Sequence, residues 1–340
     1  MVLDKNQMKA VGSLVGGAVG DALGYAVEFY EDSTIFKKYG ENGITDYHLC
    51  DGVALISDDT QMTMFTAEGL LSANCTNSVI ESVYKAYLNW LKTQTLKTPV
   101  AEHGLLSMPC MYDTRAPGNT CLSALESGVC GTIEDPINRS KGCGGIMRVA
   151  PVAIYCFNKN ISCIEADMLA AQASAITHGH ELGYIPSAFF VHIIYRILEG
   201  ATLTSAVEDS MKIVPSLFKG SQHMPEMLKL LKKAIDLSKE DIDDLEAIQE
   251  LGEGWVAEET LAIAVYCCAK HFDDFEKAMI ASVNHGGDSD STGAVTGNIL
   301  GAAIGYEAIP EHFKADLQLH DVILHVADDL WRGYTTRFIK

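Results

Sequence analysis

The chain has 340 residues and a formal net charge of −20, and no Lys/Arg block could neutralise a phosphate backbone or an anionic membrane surface. Nucleic-acid binding through a basic patch and membrane docking are therefore not expected. The hydrophobic fraction of 48% allows a sizeable core.

Taken in chain order, the first element is the apolar stretch "VGSLVGGAVGDALGYAVEF". Asp21 interrupts it, and no basic segment with a following cleavage site accompanies it, so it reads as neither signal peptide nor membrane span. Gly12, Gly16, Gly20 and Gly24 recur every four residues, as do Gly293, Gly297, Gly301 and Gly305 near the other end. On a helix such a row is a groove that admits another backbone. Interior glycine costs up to ~1 kcal/mol relative to alanine, so both segments are expected to be central helices packed tightly on neighbours, with mutual pairing as one solution.

Next comes "SDDTQM" at 57–62, opening an apolar helical run. "SVIESVYKAYLNWLK" then places Val79, Val83, Tyr87 and Leu91 on one ridge, with Ile80, Tyr84 and Leu88 beside it. Glycine- and proline-marked loops, "TRAPGNT" and "RSKGCGG", precede "YIPSAFFVHIIYRILEG", a helix expected to open near Pro186 and end at Gly200. From Asp236 to Glu259, ten carboxylates face only Lys239, which reads as a solvated helical face or mobile loop. "EETLAIAVYCCAKHF" is again helical. Sustained strand alternation is scarce and no linker divides the chain. About a dozen helical segments make one all-α domain over 1–340, with a monomer as the expected state.

The ten cysteines contain no CxxC pair, and adjacent Cys267 and Cys268 suit neither a usual disulfide nor joint metal ligation. They read as small buried hydrophobes in a reducing, cytoplasmic setting.

"NHGGDSDSTG" at 284–293 crowds small oxygen-bearing side chains into one turn. Asp288, Asp290, Thr292 and Gly293 fit the start of an EF-hand loop, but the position that requires a bidentate glutamate is Ile299. A helix cap explains one such side chain. It does not explain why "SDDT" at 57–60 repeats the pattern, because two doubled-acid clusters hold four carboxylates that would repel one another without a cation. An all-oxygen donor set points to hard ions, two Mg²⁺ or Mn²⁺, rather than zinc.

With both clusters placed, the order of motifs resembles the ADP-ribosylglycohydrolase family. That family includes hydrolases that reactivate ADP-ribosylated dinitrogenase reductase and others acting on ADP-ribosylated arginine or serine. The motifs are "GGAVGDALGYAVEF" at 16–29, "SDDTQM" at 57–62, "GNTC" at 118–121, "GCGGIMRVAP" at 142–151, "THGH" at 177–180 and "NHGGDSDSTGAVTG" at 284–297. Each is weak alone, and the series is specific. The resemblance implies an all-α, single-domain orthogonal helical bundle with a dinuclear magnesium or manganese centre. By position, Ser57, Asp58, Asp59, Asp288, Asp290 and Ser291 are the implied metal ligands, with Thr60 and Thr292 orienting them. The ions would hold the distal ribose through its 2′ and 3′ hydroxyls.

Glu28 falls where the family carries a catalytic or gating glutamate, whereas Asp21 in the same motif suits a structural hydrogen-bonding role. Hydrolysis at the anomeric carbon needs a water, a base and help for the leaving group, and Asp58 or Asp59 is the candidate base. Successive N–H groups of Gly142, Cys143, Gly144 and Gly145 offer a nest for the diphosphate. His178 matches a diphosphate-contacting histidine, His180 reads as an ordinary one, and Trp255 offers an aromatic face to adenine.

The implied activity is metal-dependent removal of ADP-ribose from a modified target, first of all arginine-linked ADP-ribose on protein. Another linkage, serine or other O-linked or a nucleic-acid adduct, stays open. So do a non-catalytic ADP-ribose-binding or structural protein on the same scaffold and a two-metal phosphohydrolase that cuts the diphosphate.

Overall fold

A computed structural model of the protein describes residues 4–73 and 78–335. Among these residues there are sixteen α-helices and five short 3-10 helices, with isolated β-bridges in place of strands. The first half contains α1 (Lys5–Tyr25), α2 (Asp32–Tyr39), α3 (Asp58–Ser72), α4 (Val79–Thr95), α5 (Asn119–Glu126), α6 (Ala150–Asn158), α7 (Cys163–Ala175) and α8 (Glu181–Leu198). The second half contains α9 (Leu203–Ile213), α10 (Met224–Leu237), α11 (Asp244–Leu251) and α12 (Ala257–Lys270). It ends with α13 (Phe275–Val283), α14 (Ser289–Ile304), α15 (Glu311–Ala315) and α16 (His320–Arg332).

α1 and α14 form the buried centre, and the two glycine rows face each other. A Cβ built on Gly12 would run into the Gly301 carbonyl, one on Gly16 into that of Gly297, and one on Gly20 into that of Gly293. Backbone meets backbone along this seam, which is the packing gain that offsets the poor helix propensity of glycine. The register ends there: Gly24 faces Ser289, and Gly305 instead terminates α14 with φ +82°. Around this pair, α8 is buried along most of its length and α4 contributes Val83, Tyr87 and Trp90, all with no exposed surface.

Two expectations need correction. α8 begins at Glu181, not near Pro186; His180 caps it, its Nδ1 accepting from Leu182 N at 3.0 Å. Pro186 removes one intrahelical hydrogen bond, but burial of Leu182 and Ile185 ahead of it keeps those residues helical. The acidic stretch is not simply a solvated face. Glu258 is buried and ion-paired to Lys141, Asp244 pairs with His271 at 2.9 Å, and the Glu259 carboxylate accepts from Glu253 N at 3.0 Å and Gly254 N at 3.2 Å.

No helix is long and apolar enough to cross a membrane among the described residues. Nine cysteines are free; Cys121, Cys156, Cys267 and Cys268 are buried, whereas Cys50 is exposed. The tenth, Cys75, lies outside the described residues.

Candidate metal centre and active site

The seam between α1 and α14 decides where the acidic groups meet. α14 starts at Asp288, whose carboxylate caps the helix by accepting from Ser291 N at 3.4 Å, and Asp290 accepts from the same N–H at 2.9 Å. α3 starts at Ser57, whose Oγ accepts from Asp59 N at 3.1 Å. Asp21, on α1 and wholly buried, ties that second helix start to the seam. Its carboxylate accepts from Ser57 N at 2.9 Å, from Thr60 N at 3.0 Å and from the Thr60 hydroxyl. Two helix N-termini therefore open on one point.

One carboxylate oxygen from each of Asp58, Asp59 and Asp290 lies within 4.8 Å of the others, and the same is true of Glu28, Asp288 and Asp290. Asp290 belongs to both triplets. All five groups are buried. Burial first, then the charge of Asp290, pushes Asp58 and Asp59 well above the usual carboxylate range; burial and Asp288 do the same to Asp290. Glu28 is pushed up to about 11, by burial and then by Asp290, Asp288 and Asp58. Asp21 is raised to about 7, chiefly by burial. Glu28 Oε2 and Asp59 Oδ2 are buried without a hydrogen-bond partner. Crowded, partly unpartnered carboxylate oxygens are the donor set that a hard divalent cation satisfies.

Of the two hydroxyls in the implied ligand set, Ser291 lines the cavity over these carboxylates, whereas Ser57 is fully buried and does not line it. Thr60 acts through Asp21. Thr292 donates to the Ser282 carbonyl at 2.7 Å or the Asp288 carbonyl at 2.9 Å, which braces the turn rather than facing the carboxylates.

The cavity measures about 410 Å³. Glu28, Asp58, Asp59, Asp288, Asp290, Gly142, Cys143, Gly144, His178 and Trp255 all contribute to its wall; Gly145 does not. The N–H groups of the glycine turn are only partly free. Gly142 N donates to Ser140 Oγ at 3.3 Å and Cys143 N to the Trp255 carbonyl at 3.2 Å.

His178 is buried, and desolvation, then the Arg148 charge, pushes it down to about 3, so it is neutral. Arg148 Nη2 donates to Thr177 Oγ1 at 2.7 Å, and that hydroxyl lies 2.8 Å from His178 Nδ1. His178 Nε2 is the ring nitrogen beside Gly142 and Gly144. Arg148 itself is fully buried and stacks on Tyr87 at 4.2 Å. At the rim, Trp255 is 40% exposed and stacks with Phe29, ring centroids 6.2 Å apart and planes at 22°.

Three features escaped the sequence reading. The Cys143 thiol donates to Asp288 Oδ2 at 2.6 Å, a contact between distant segments that no local motif encodes. Phe29 joins Trp255, although its place next to Glu28 could have drawn attention to it. The first turn of α5 has no side-chain cap, and Gly118, Asn119 and Thr120 line the cavity, with Gly118 N donating to Asp58 Oδ2 at 3.2 Å. The "APGNT" wording, with glycine at a helix start, was the available signal.

Comparison with known proteins points to one family and one fold. A sequence model of the ADP-ribosylglycohydrolase family matches residues 3–338. The chain is 24% identical to the ADP-ribosyl-[dinitrogen reductase] glycohydrolase of Rhodospirillum rubrum over 95% of both chains. It is 26% identical to the ADP-ribosylarginine hydrolase Tri1 of Serratia proteamaculans, over 95% of this chain and 79% of that one. Among solved structures, an ADP-ribosylglycohydrolase-related protein complex superposes with a TM-score of 0.70 at 26% identity, over 97% of this chain and 99% of the other.

Proposed function

The chain belongs to the ADP-ribosylglycohydrolase family, and on that footing we propose that it is a hydrolase that releases ADP-ribose from a modified protein, using two Mg²⁺ or Mn²⁺ ions. One observation carries the metal reading: two carboxylate triplets share Asp290 at the floor of one cavity. Asp58, Asp59, Asp288 and Asp290, with the hydroxyls of Ser57 and Ser291, would hold the ions. Bound there, such ions would supply Lewis-acid stabilisation to the distal ribose and would lower the pKa of an attacking water.

The protein's own groups do the rest. Asp59, whose Oδ2 has no other partner, is suited to take the proton of the water that attacks the anomeric carbon, with Asp58 as its neighbour. Glu28, also with an unpartnered oxygen, is placed to gate the reacting centre or carry a proton to or from it. With its proton on Nε2, His178 would join the uncapped first turn of α5 in offering neutral donors to the diphosphate. Trp255 and Phe29 offer aromatic faces at the rim to the adenine.

Arginine is the proposed linkage, supported by the Serratia relative's name and by similarity along nearly the whole chain. Incubation with arginine- or serine-ADP-ribosylated protein, with Mg²⁺ or with a chelator, tests the reading by product. Metal-dependent release of ADP-ribose from the arginine adduct is the expected result. Release from the serine adduct alone would move the linkage, AMP would indicate diphosphate cleavage, and ADP-ribose binding without product would leave a binding protein.

A further inference from the structure

Away from the cavity, Cys163, Asp167 and His192 bring a sulfur, a carboxylate oxygen and an imidazole nitrogen within 4.8 Å of one another. Cys163 and Asp167 stand one turn apart on α7, and His192 meets them from α8. Cys163 Sγ is 3.4 Å from His192 Nδ1 and 3.8 Å from Asp167 Oδ1, while Asp167 Oδ2 is 2.9 Å from His192 Nδ1. Ordinary Zn–S, Zn–N and Zn–O lengths in a tetrahedron give ligand-to-ligand edges of roughly 3.3–3.6 Å. The Cys163 Sγ–His192 Nδ1 edge of 3.4 Å lies in that range, and Asp167 turns one carboxylate oxygen to each of these atoms.

Its surroundings have the same character. The other ring nitrogen, Nε2, faces Asp209 Oδ2 at 3.3 Å, and Arg196 is ion-paired to that carboxylate at 2.9 Å. A metal-binding histidine ordinarily donates its second N–H to a carboxylate, which fixes its tautomer and leaves the first nitrogen free to ligate. Asp167 has no exposed surface, and its hydrogen-bond partners are this ring and this thiol. An imidazolium between the two carboxylates would balance the charges. It would leave the thiol as a weak donor at 3.8 Å, whereas a cation uses all three atoms.

We propose that Cys163, Asp167 and His192 bind one borderline divalent cation, zinc in the first instance, with a water as fourth ligand, and that the ion pins the start of α7 to α8. Cys163 is only half-buried and gives the ion a way in. The ligands come from two helices, so no cysteine spacing within one segment of the sequence encodes the site. None of the three residues lines the cavity, so the site is independent of the hydrolase centre.

The test strips the full chain with a chelator, restores excess Mg²⁺ and titrates with Zn²⁺. The wild type should retain one zinc per chain through gel filtration and gain ~5 °C in melting temperature. Cys163→Ser and His192→Gln should lose both effects, and Cys143→Ser, which removes the thiol in the cavity, should keep them. Cys163→Ser preserves size and helix position, so it guards against a folding artefact, and its hydrolase activity in Mg²⁺ should match the wild type. With Co²⁺ as probe, a thiolate-to-cobalt absorption band should survive in Cys143→Ser and vanish in Cys163→Ser. Zinc retention equal in wild type and Cys163→Ser, or no retention by the wild type, would overturn the proposal.

Discussion

Gly16 and Gly297 face each other so closely that a Cβ on either would run into the other's carbonyl oxygen. This contact sets the spacing of α1 and α14, and with it the position of the Asp288–Asp290 turn relative to Glu28 and Asp21. Alanine is the better helix former by up to ~1 kcal/mol, so propensity alone predicts that Gly297→Ala stabilises the protein. Overpacking predicts the opposite, a net loss of about 2–3 kcal/mol. Urea unfolding decides between them, and Mn²⁺ affinity should fall with stability because the α14 start moves. A neutral or stabilising result would mean that the seam yields.

Asp21 is a positioning residue: it does not line the cavity, yet it holds the start of α3 through Ser57 and Thr60. Asp21→Ala leaves buried N–H groups unsatisfied and should cost about 2–4 kcal/mol. Asp21→Asn, similar in shape, should fold more nearly normally and still bind metal at least ~10-fold more weakly, since one amide oxygen replaces a charged acceptor that gathers several donors. Calorimetric metal titration of the Asn variant checks this, and unchanged affinity would contradict it.

The glycine seam and the helix starts beside it show what the sequence made legible. Glycine spacing and doubled acids at helix starts are local patterns, so the central helices and both halves of the carboxylate cluster could be read directly. Contacts made across the fold could not be read: Cys143 on Asp288, Lys141 on Glu258, and the Trp255 carbonyl that occupies the Cys143 N–H. Pro186 misled for a related reason, because burial around it outweighs a backbone rule that is legible in sequence.

Removing metal should reverse the usual carboxylate dependence of stability on pH. Asp21 is raised to about 7 and Glu28 to about 11, so the folded state keeps protons that the unfolded state has released. The slope of unfolding free energy against pH is then negative. These groups favour folding fully below their unfolded pKa values, about 4, and that contribution is lost as pH rises through the folded values. Chelator-treated protein should therefore lose stability between about pH 4 and about pH 7, with a further loss from Glu28 above that. Added Mg²⁺ should release protons and stabilise more strongly as pH rises. Thermal melts across pH with and without metal, and titrations in buffers of different ionisation enthalpy, measure both effects. Proton uptake on Mg²⁺ binding would contradict the account.

His178 is neutral throughout the working range, since burial pushes it down to about 3. His178→Ala should raise KM by ~10-fold through loss of one donor to the diphosphate. It should leave the pH profile of kcat and the metal stoichiometry in place. A shifted acid limb of kcat would instead make His178 an acid–base group.

The most direct test joins metal count to turnover in one variant. Asp290 belongs to both carboxylate triplets. Wild-type protein should bind two Mn²⁺ and release ADP-ribose from an arginine-linked substrate. Asp290→Ala, shown to be folded by its helical circular dichroism, should bind neither ion tightly and lose turnover by at least ~10³-fold. An Asp290→Ala protein that retains near-normal turnover, or a wild type that turns over with the chelator present, would contradict the dinuclear centre on which the account rests.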